Sequence, residues 1–408
     1  MNEGRTIFSQ LLDFIPAHQF NRCVKRYSGD HRVRQFFCRD QFRCMAFAQL
    51  TYRESLRDVE LTLRAIGKKL YHVGIRGGVS RSTLADANEL RDWRIYADLA
   101  ALLIARARRL YADEDIGLHL DETVYAFDAT TIDLCLTLFP WAQFRRRKSA
   151  VKLHTLIDIR GNIPCFIHIS TGKMADMDSL DYLPIEPGAF YVMDRGYVDF
   201  ARLFRFTEAM AFFVTRAKKN LAFDYREHRK VDTATGLRSD TSIRLTGVKS
   251  RDRYPVLLRR IAYVDGVTGK RFVFLTNNFL LPALTITQLY QRRWQVELFF
   301  KWIKQNLRIK SFFGLSPNAV HTQIWIAISV YVLIAIARKE LHLSRSMAEM
   351  CQVLSVTLFE KMPILQAFSH DTPELEQGGI HNQFRYSTFN RTVVKLNDNR
   401  EHPRYDGP

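Results

Sequence analysis

Tyr290, Arg293, Glu297 and Lys304, in the segment LTITQLYQRRWQVELFFKWIKQNL, follow the pattern Tyr-x2-Arg-x3-Glu-x6-Lys and set one carboxylate among cations. At about 100° of turn per residue these side chains, with Lys301 and Arg308, fall within an arc of roughly 80° on one helix face. The opposite face is apolar: Leu289, Val296, Phe299, Phe300, Ile303 and Leu307. Thr285 with Gln288 reads as a capping box, and Leu284 with Leu289 as the staple of the first turn. Such a helix alone is equally a solvated amphipathic helix held by a Glu297 to Lys301 pair.

Two upstream aspartates change that balance. Asp128 follows the strand-like TVYAF and opens DATT; Asp194 ends the apolar run AFYVM and opens DRGY. Both are expected at the ends of short buried strands, where a scaffold holds a carboxylate rigidly yet open to a ligand. Magnesium takes hard oxygen ligands, usually one or two protein carboxylates completed by water and phosphate oxygens. Two such ions about 4 Å apart activate an attacking oxygen and stabilise a leaving one at phosphorus. Asp128, Asp194 and Glu297 therefore suit a site for two Mg2+ ions, with Mn2+ able to substitute. Arg293 as a fork and Lys304 as a point charge are placed to hold phosphates.

With DATT, with Asp-Arg-Gly-Tyr at 194–197 and with the Tyr-Arg-Glu-Lys spacing, the chain resembles the cut-and-paste DDE transposases of insertion-sequence family four over roughly residues 120–340. The four-residue spacing is specific, whereas either aspartate motif alone is weak. The resemblance implies an RNase H-like catalytic core, a β-rich insertion before the catalytic Glu297, and cleavage of transposon ends through a DNA hairpin. It also implies an N-terminal domain that reads terminal inverted repeats, and at least a dimer when two ends are synapsed.

The elements that must position these residues are legible in outline. From Asp128 to Asp194 is 66 residues, room for further strands of a mixed sheet and a helix; from Asp194 to Glu297 is 103, too long for one short connection. Residues 218–275 carry turn signals (TATG, DGVTG) and strand-like runs (SIRLTGV, YPVLLRRIAYV, KRFVFLTNN). They are expected to form a small antiparallel insertion in preference to a larger single sheet. This spacing agrees with the architecture that the resemblance implies, an α/β fold with an RNase H-like mixed-sheet core at 116–217 and 276–340, the β-rich insertion at 218–275, a helical N-terminal DNA-binding domain at 1–115, and a C-terminal helical region and polar tail at 341–408.

Composition agrees with a polyanionic partner. The 408 residues carry 60 Lys plus Arg against 42 Asp plus Glu, a net charge of +18. That suits a polyanion, which the resemblance implies is double-stranded DNA, the transposon ends and the target. Positive charge recurs at Arg145 to Lys148, Lys218 and Lys219, Arg292 and Arg293, and Lys301 to Lys310, with Arg146 a candidate DNA contact against the plainer reading of a solvated loop. A hydrophobic fraction of 47% lets the chain bury a large core in two or three domains.

N-terminal segments are helical in pattern: TIFSQLLDFI, then FRCMAFAQLTYRESLRDVELTLRAI, then, after a Gly-rich break at Gly74 to Gly78, SRSTLADANELRDWRIYADLAALLIARARRLY. Ser80 is a plausible N-cap, exposing Arg81, Ser82, Thr83 and Asn88 to phosphates and base edges. The six cysteines lack metal-ligand spacing and read as reduced thiols of a cytoplasmic, nucleoid-associated bacterial protein. His154 and His168 are expected to be structural. The opening residues lack the basic and apolar regions of a signal peptide. The apolar run Ile324 to Ala337, about 14 residues against the roughly 20 that span a bilayer, reads as a buried core helix, with no membrane partner. SRSMAEMCQVLSVTLFEKMPILQAF suggests one or two more helices, and 370–408 a poorly ordered or partner-dependent polar tail.

The reading is a DNA transposase that cleaves at terminal inverted repeats and joins the freed 3′ end to target DNA. The alternatives are an RNase H-like nuclease without strand transfer and a catalytically inactive DNA-binding repressor. Tyr290, Arg293, Lys301 and Lys304 contact the end, with Tyr290 able to stack on a base. One departure stands out: the family often stacks a flipped base on a tryptophan of the insertion, and 218–275 contain none. Phe272 or Tyr254 could substitute. Trp294 is the tryptophan nearest Glu297, with core packing competing against base contact there.

Overall fold

A period-two alternation in the buried strands decides which way each catalytic candidate points, and the rest of the architecture follows from that sheet. The computed structural model describes residues 4–118, 120–146, 148–306 and 312–368. Arg308, Leu307, Lys310 and the tail from 370 lie outside the described residues.

Six helices come first: α1 (Ile7–Leu12), α2 (Ala17–Arg26), α3 (Cys38–Leu50), α4 (Leu56–Ile66), α5 (Arg81–Leu90) and α6 (Arg94–Leu110). The helical pattern over 42–66 is two helices, because the chain turns through Tyr52 at φ 57° and restarts where the Ser55 side chain accepts from the Asp58 N–H. Ser80 caps α5 as expected, its side chain accepting from the Thr83 N–H at 3.1 Å.

The sheet begins with β1 (Val124–Leu134), β2 (Gln143–Arg145), β3 (Lys148–Asp158), β4 (Ile163–Thr171), β5 (Phe190–Met193) and β6 (Phe212–Arg216). β4, β3 and β1 are antiparallel, while β1, β5 and β6 are parallel, giving the mixed sheet expected from the resemblance. β5 is buried at all four positions, as a central parallel strand must be. α7 (Phe200–Glu208) connects β5 to β6, the crossover a parallel pair needs. Along β1, Val124 and Ala126 join the core shared with the helices, whereas Tyr125 and Phe127 join a second core with Leu203 and Phe206 of α7.

Residues 218–275 then supply β7 (Phe223–Arg229), β8 (Leu237–Leu245), the unanticipated α8 (Val248–Arg253), β9 (Leu258–Val264) and β10 (Arg271–Thr276). Phe274 to Thr276 of β10 pair with Val214 to Arg216 of β6. The larger single sheet forms, against the expected separate small one: the segment is inserted in sequence but continuous with the central sheet in space, because β10 pairs with β6, with strand order β2-β3-β1-β5-β6-β10-β9-β8-β7.

Five helices follow: α9 (Ala283–Arg292), α10 (Trp294–Asn306), α11 (Pro317–Glu340), α12 (Met347–Thr357) and α13 (Ile364–Phe368). α9 is capped at Pro282, three residues before the expected cap, so Thr285 lies inside the first turn and the Thr285–Gln288 capping box does not form. Its start is instead pinned by Arg259 of β9, which donates to the carbonyls of Asn278 and Leu281 and pairs bidentately with Asp240. Both side chains of that pair are at most 5% exposed.

α11 has 24 residues and a mean hydropathy of 1.9 in its most apolar window, so it exceeds the 14-residue run and has the length and composition to cross a membrane. It is nonetheless 89% buried over that window and packs on α6, α3 and α5, the core role expected of it. All six cysteines are free, with Cys135 exposed and Cys23, Cys38, Cys44 and Cys351 buried. His154 bonds Ser170 Oγ at 2.9 Å and His168 stacks on Tyr182.

Candidate active site

Asp128 and Asp194 become neighbours through strand register. β1 and β5 are paired in parallel up to Phe127 and Met193, so an aspartate follows the last pair on each side of the ladder. By the same alternation Asp128 continues the face of Val124 and Ala126, and Asp194 that of Phe190 and Val192, which is the face packed by the helical core. Asp128 is not at a strand end as expected. β1 runs on to Leu134 against β3, and it is the β5 ladder that ends, opening one side of Asp128.

α9 and α10 lie over this face. The predicted single helix is interrupted at Arg293, where the Arg293 N–H donates to the Tyr290 carbonyl and the Val296 N–H to the Arg293 carbonyl, two tightened i to i+3 bonds. Leu289, Val296, Phe299, Phe300 and Ile303 are all buried, as expected.

The polar stripe meets the aspartates directly. Arg293 Nη1 donates to Asp128 Oδ2 at 2.9 Å and Nη2 to Glu297 Oε1 at 2.5 Å. Because one planar guanidinium holds both, those oxygens are within about 8 Å of each other. The Tyr290 hydroxyl donates to Asp194 Oδ1 at 3.1 Å, and Arg216 Nη2 and Nε donate to the same oxygen at 2.6 and 2.9 Å. Lys304 Nζ donates to Thr130 Oγ1 at 2.5 Å and the Thr131 carbonyl at 2.9 Å, both in DATT. Glu297 thus pairs with Arg293 rather than Lys301, whose side chain is exposed further along α10, because the tightened turn swings the guanidinium between the carboxylates.

The two aspartates differ electrically. Burial, reinforced by the Glu297 and Asp194 charges, raises Asp128 to about 6 despite Arg293 and the Ala129 N–H. Burial also acts to raise Asp194, but the Arg195 N–H, Arg216 and Arg293 outweigh it and hold it below the ordinary carboxylate value. Among the described residues no group of three or more His, Cys, Asp and Glu side chains converges on a single ion position, since Arg293 fills the space between Asp128 and Glu297. The donor chemistry still fits a hard divalent cation. Asp128 and Glu297 share one cationic group, and Asp194 is near enough for its charge to act on Asp128.

Nucleotide-facing candidates separate sharply. Tyr290 is buried, with its ring on Phe274 and 5.9 Å from the guanidinium carbons of both Arg216 and Arg293, so it offers its hydroxyl and not a free ring face to a base. Tyr254 is 1% exposed and bonds Thr207, which removes it as a base platform. Trp294 is 48% exposed and, with Phe272, Phe274, Tyr263 and Tyr290, lines a pocket of about 180 Å³ beside Arg293. Arg81 and Thr83 are exposed on α5, and Arg146 is exposed in the β2–β3 turn. Asn88 is buried, its side chain accepting from Gln41, because it shares the packed face of Leu84 one turn earlier.

Sequence reasoning missed Arg216 and Tyr197. Arg216 ends β6 in FFVTR with no motif of its own, and only the β5–β6 pairing brings it to Asp194. Tyr197 of DRGY is buried against Phe127, where burial and the neighbouring Asp128 carboxylate keep its hydroxyl protonated.

Residues 119–333 match the family "Transposase DDE domain", and residues 3–76 match a "Domain of unknown function (DUF4372)". The chain is 32% identical over 69% of its length to a Sinorhizobium fredii protein named "Putative transposase y4zB", covering 78% of that protein. It is 30% identical over 62% of its length to the Geobacillus stearothermophilus "Probable transposase for insertion sequence element IS5377", covering 66% of it. It is 22% identical over 86% of its length to the Synechocystis "Putative transposase for insertion sequence element IS4SA", covering 94% of it.

Proposed function

The chain belongs to the family of DDE transposases, enzymes that cleave DNA and transfer strands, and from that premise we propose that Asp128, Asp194 and Glu297 are its catalytic carboxylates. The observation that carries the reading is the convergence of all three around Arg293 and Tyr290 on one face of the β1–β5 pair.

In this reading the three carboxylates hold two Mg2+ ions, for which Mn2+ substitutes. When bound, such ions activate the attacking oxygen and stabilise the leaving one at phosphorus. Asp194, whose pKa the Arg195 N–H and Arg216 lower, would offer an ionised carboxylate to such an ion. Arg293 turns its fork from the carboxylates to phosphate oxygens of the bound strand, Tyr290 orients Asp194, and Lys301 and Lys304 add point charges along the same helix face. Trp294 and Phe272 supply the open aromatic surface for a distorted nucleotide at the break, in place of an insertion tryptophan.

The reaction is proposed to be cut-and-paste at terminal inverted repeats, through a hairpin intermediate, in a dimer that synapses two ends. Residues 1–115 form the DNA-binding domain, with Arg81 and Thr83 facing DNA and Arg146 a further contact. Residues 116–217 and 276–340 form the catalytic core, 218–275 the β-rich insertion, and 341–408 the C-terminal region.

The test is cleavage and strand transfer with Mg2+ on a duplex made from the DNA flanking this gene. Asp128→Ala, Asp194→Ala and Glu297→Ala should each abolish cutting and leave end binding largely intact. A variant that still cuts at the wild-type rate removes its residue from the site.

A further inference from the structure

Beside the carboxylates lies a second feature, which the motifs do not predict. A cleft of about 300 Å³ is lined by Arg195, Arg216, Lys218, Lys219, Arg260 and Arg271, with no Asp or Glu in its lining. The cations come from three places in the chain: the turn after β5, the end of β6, and the β9–β10 pair. Only the continuity of the sheet through β6, β10 and β9 gathers them.

Some of this charge is already engaged. Arg216 pairs with Asp194, Lys218 donates to the Val198 carbonyl, and Arg260 lies 5.3 Å over the Phe223 ring. Arg195, Lys219 and Arg271 are exposed, and among the described residues none has a carboxylate partner. Cations gathered within about one Debye length repel one another, so the cluster suits a polyanion that neutralises it. Two connections show where that polyanion runs. Arg216 belongs both to the cleft and to Asp194, and Phe272 forms a wall of both this cleft and the aromatic pocket beside Arg293.

We propose that the cleft binds the phosphodiester backbone of the DNA strand that passes Asp194, gripping phosphates next to the scissile linkage. In this arrangement the insertion is a clamp, and Arg216 couples occupancy of the clamp to the orientation of Asp194. The identity of the polyanion as DNA rests on the transposase reading above; the placement of its backbone rests on the cleft.

The experiment measures binding of a duplex spanning the element's end and its donor flank across a salt series. Variants are Lys219→Ala/Arg271→Ala and Lys219→Glu/Arg271→Glu, with Lys249→Glu on α8, outside the cleft lining, as the control. The double alanine variant should lower the slope of log affinity against log salt by about two, roughly one per lost phosphate contact. Its affinity near physiological salt should fall at least tenfold, and the glutamate version further, while the control keeps the wild-type slope.

Neutral methylphosphonates placed beside the scissile linkage locate the contact. They should weaken binding by the wild type and much less by the double variant, the non-additivity expected of groups that touch. An unchanged slope, or equal weakening of both proteins, overturns the proposal. If Asp128→Ala abolishes cutting in the same preparation, that failure belongs to the cleft alone; if Asp128→Ala still cuts, the catalytic reading has failed instead.

Discussion

Replacing Arg293 with methionine should make the DNA-free protein a better binder of divalent cations. Arg293 makes charge-assisted bonds of 2.9 Å to Asp128 and 2.5 Å to Glu297. Each such bond contributes about 1.5–3 kcal/mol when sheltered. Glu297 is a third exposed, which reduces its share, so about 2–3 kcal/mol in total is a reasonable magnitude. A divalent ion entering between these carboxylates must displace the guanidinium and overcome that amount. Arg293→Met removes the competitor and leaves two unpaired carboxylates, so affinity should tighten by roughly 10- to 100-fold, at about 1.4 kcal/mol per tenfold. Titration calorimetry with Mg2+ and with Mn2+ measures it directly, with Arg293→Met/Asp128→Asn as the control that returns binding toward the wild-type value. DNA cleavage should move the opposite way and fall, since the phosphate fork is gone. If wild type binds either ion as tightly as the Arg293 variant, the guanidinium does not occupy the ions' place and the reasoning is refuted.

Acidity at Asp128 gives a signed pH effect. Its folded value of about 6 lies above the ordinary 3.8, so folding favours the protonated carboxyl. That contribution is fully present below about pH 4 and is lost as pH rises through 6, by roughly 3 kcal/mol at 1.36 kcal/mol per unit. Asp128→Asn should therefore gain in Tm relative to metal-free wild type as pH rises from 4 to 7; a constant difference across that range counts against the buried carboxylate. Arg259→Ala should destabilise by about 3–5 kcal/mol, because it strands Asp240 and releases the loop that starts α9, and a near-neutral melting curve refutes that role. Arg81→Ala should lower the preference for the element's own ends over unrelated duplex by about 1–3 kcal/mol in competition binding, with little change in cleavage once bound; an unchanged preference moves recognition elsewhere.

Legibility varied with the range of the interaction. The buried stripe from Leu289 to Ile303 and the Ser80 cap were readable because each is set within one or two helical turns. The start of α9 was misplaced, since the Thr285–Gln288 pair satisfies the local rule while Arg259, on a different strand, settles where the helix begins. The place of Asn88 on a capped helix predicts exposure, yet a polar side chain also packs where it finds a partner such as Gln41. The Tyr290 hydroxyl meets Asp194, but the ring has no open face for the expected stacking, because it is enclosed by Phe274 and two guanidiniums.

By itself the chain's order of residues determined the chemistry at hand: three carboxylates, their cationic companions on one helix face, and a surplus of positive charge for a polyanion. Those depend on side-chain type and on helical or strand period, which act over a few residues. Tertiary structure alone decided that Asp128 and Asp194 stand side by side, that Arg216 binds the second of them, and that six cations from three segments line one cleft. The physical reason is register. Hydrogen-bond pairing between strands distant in sequence sets which residues are adjacent, and no local pattern encodes that pairing.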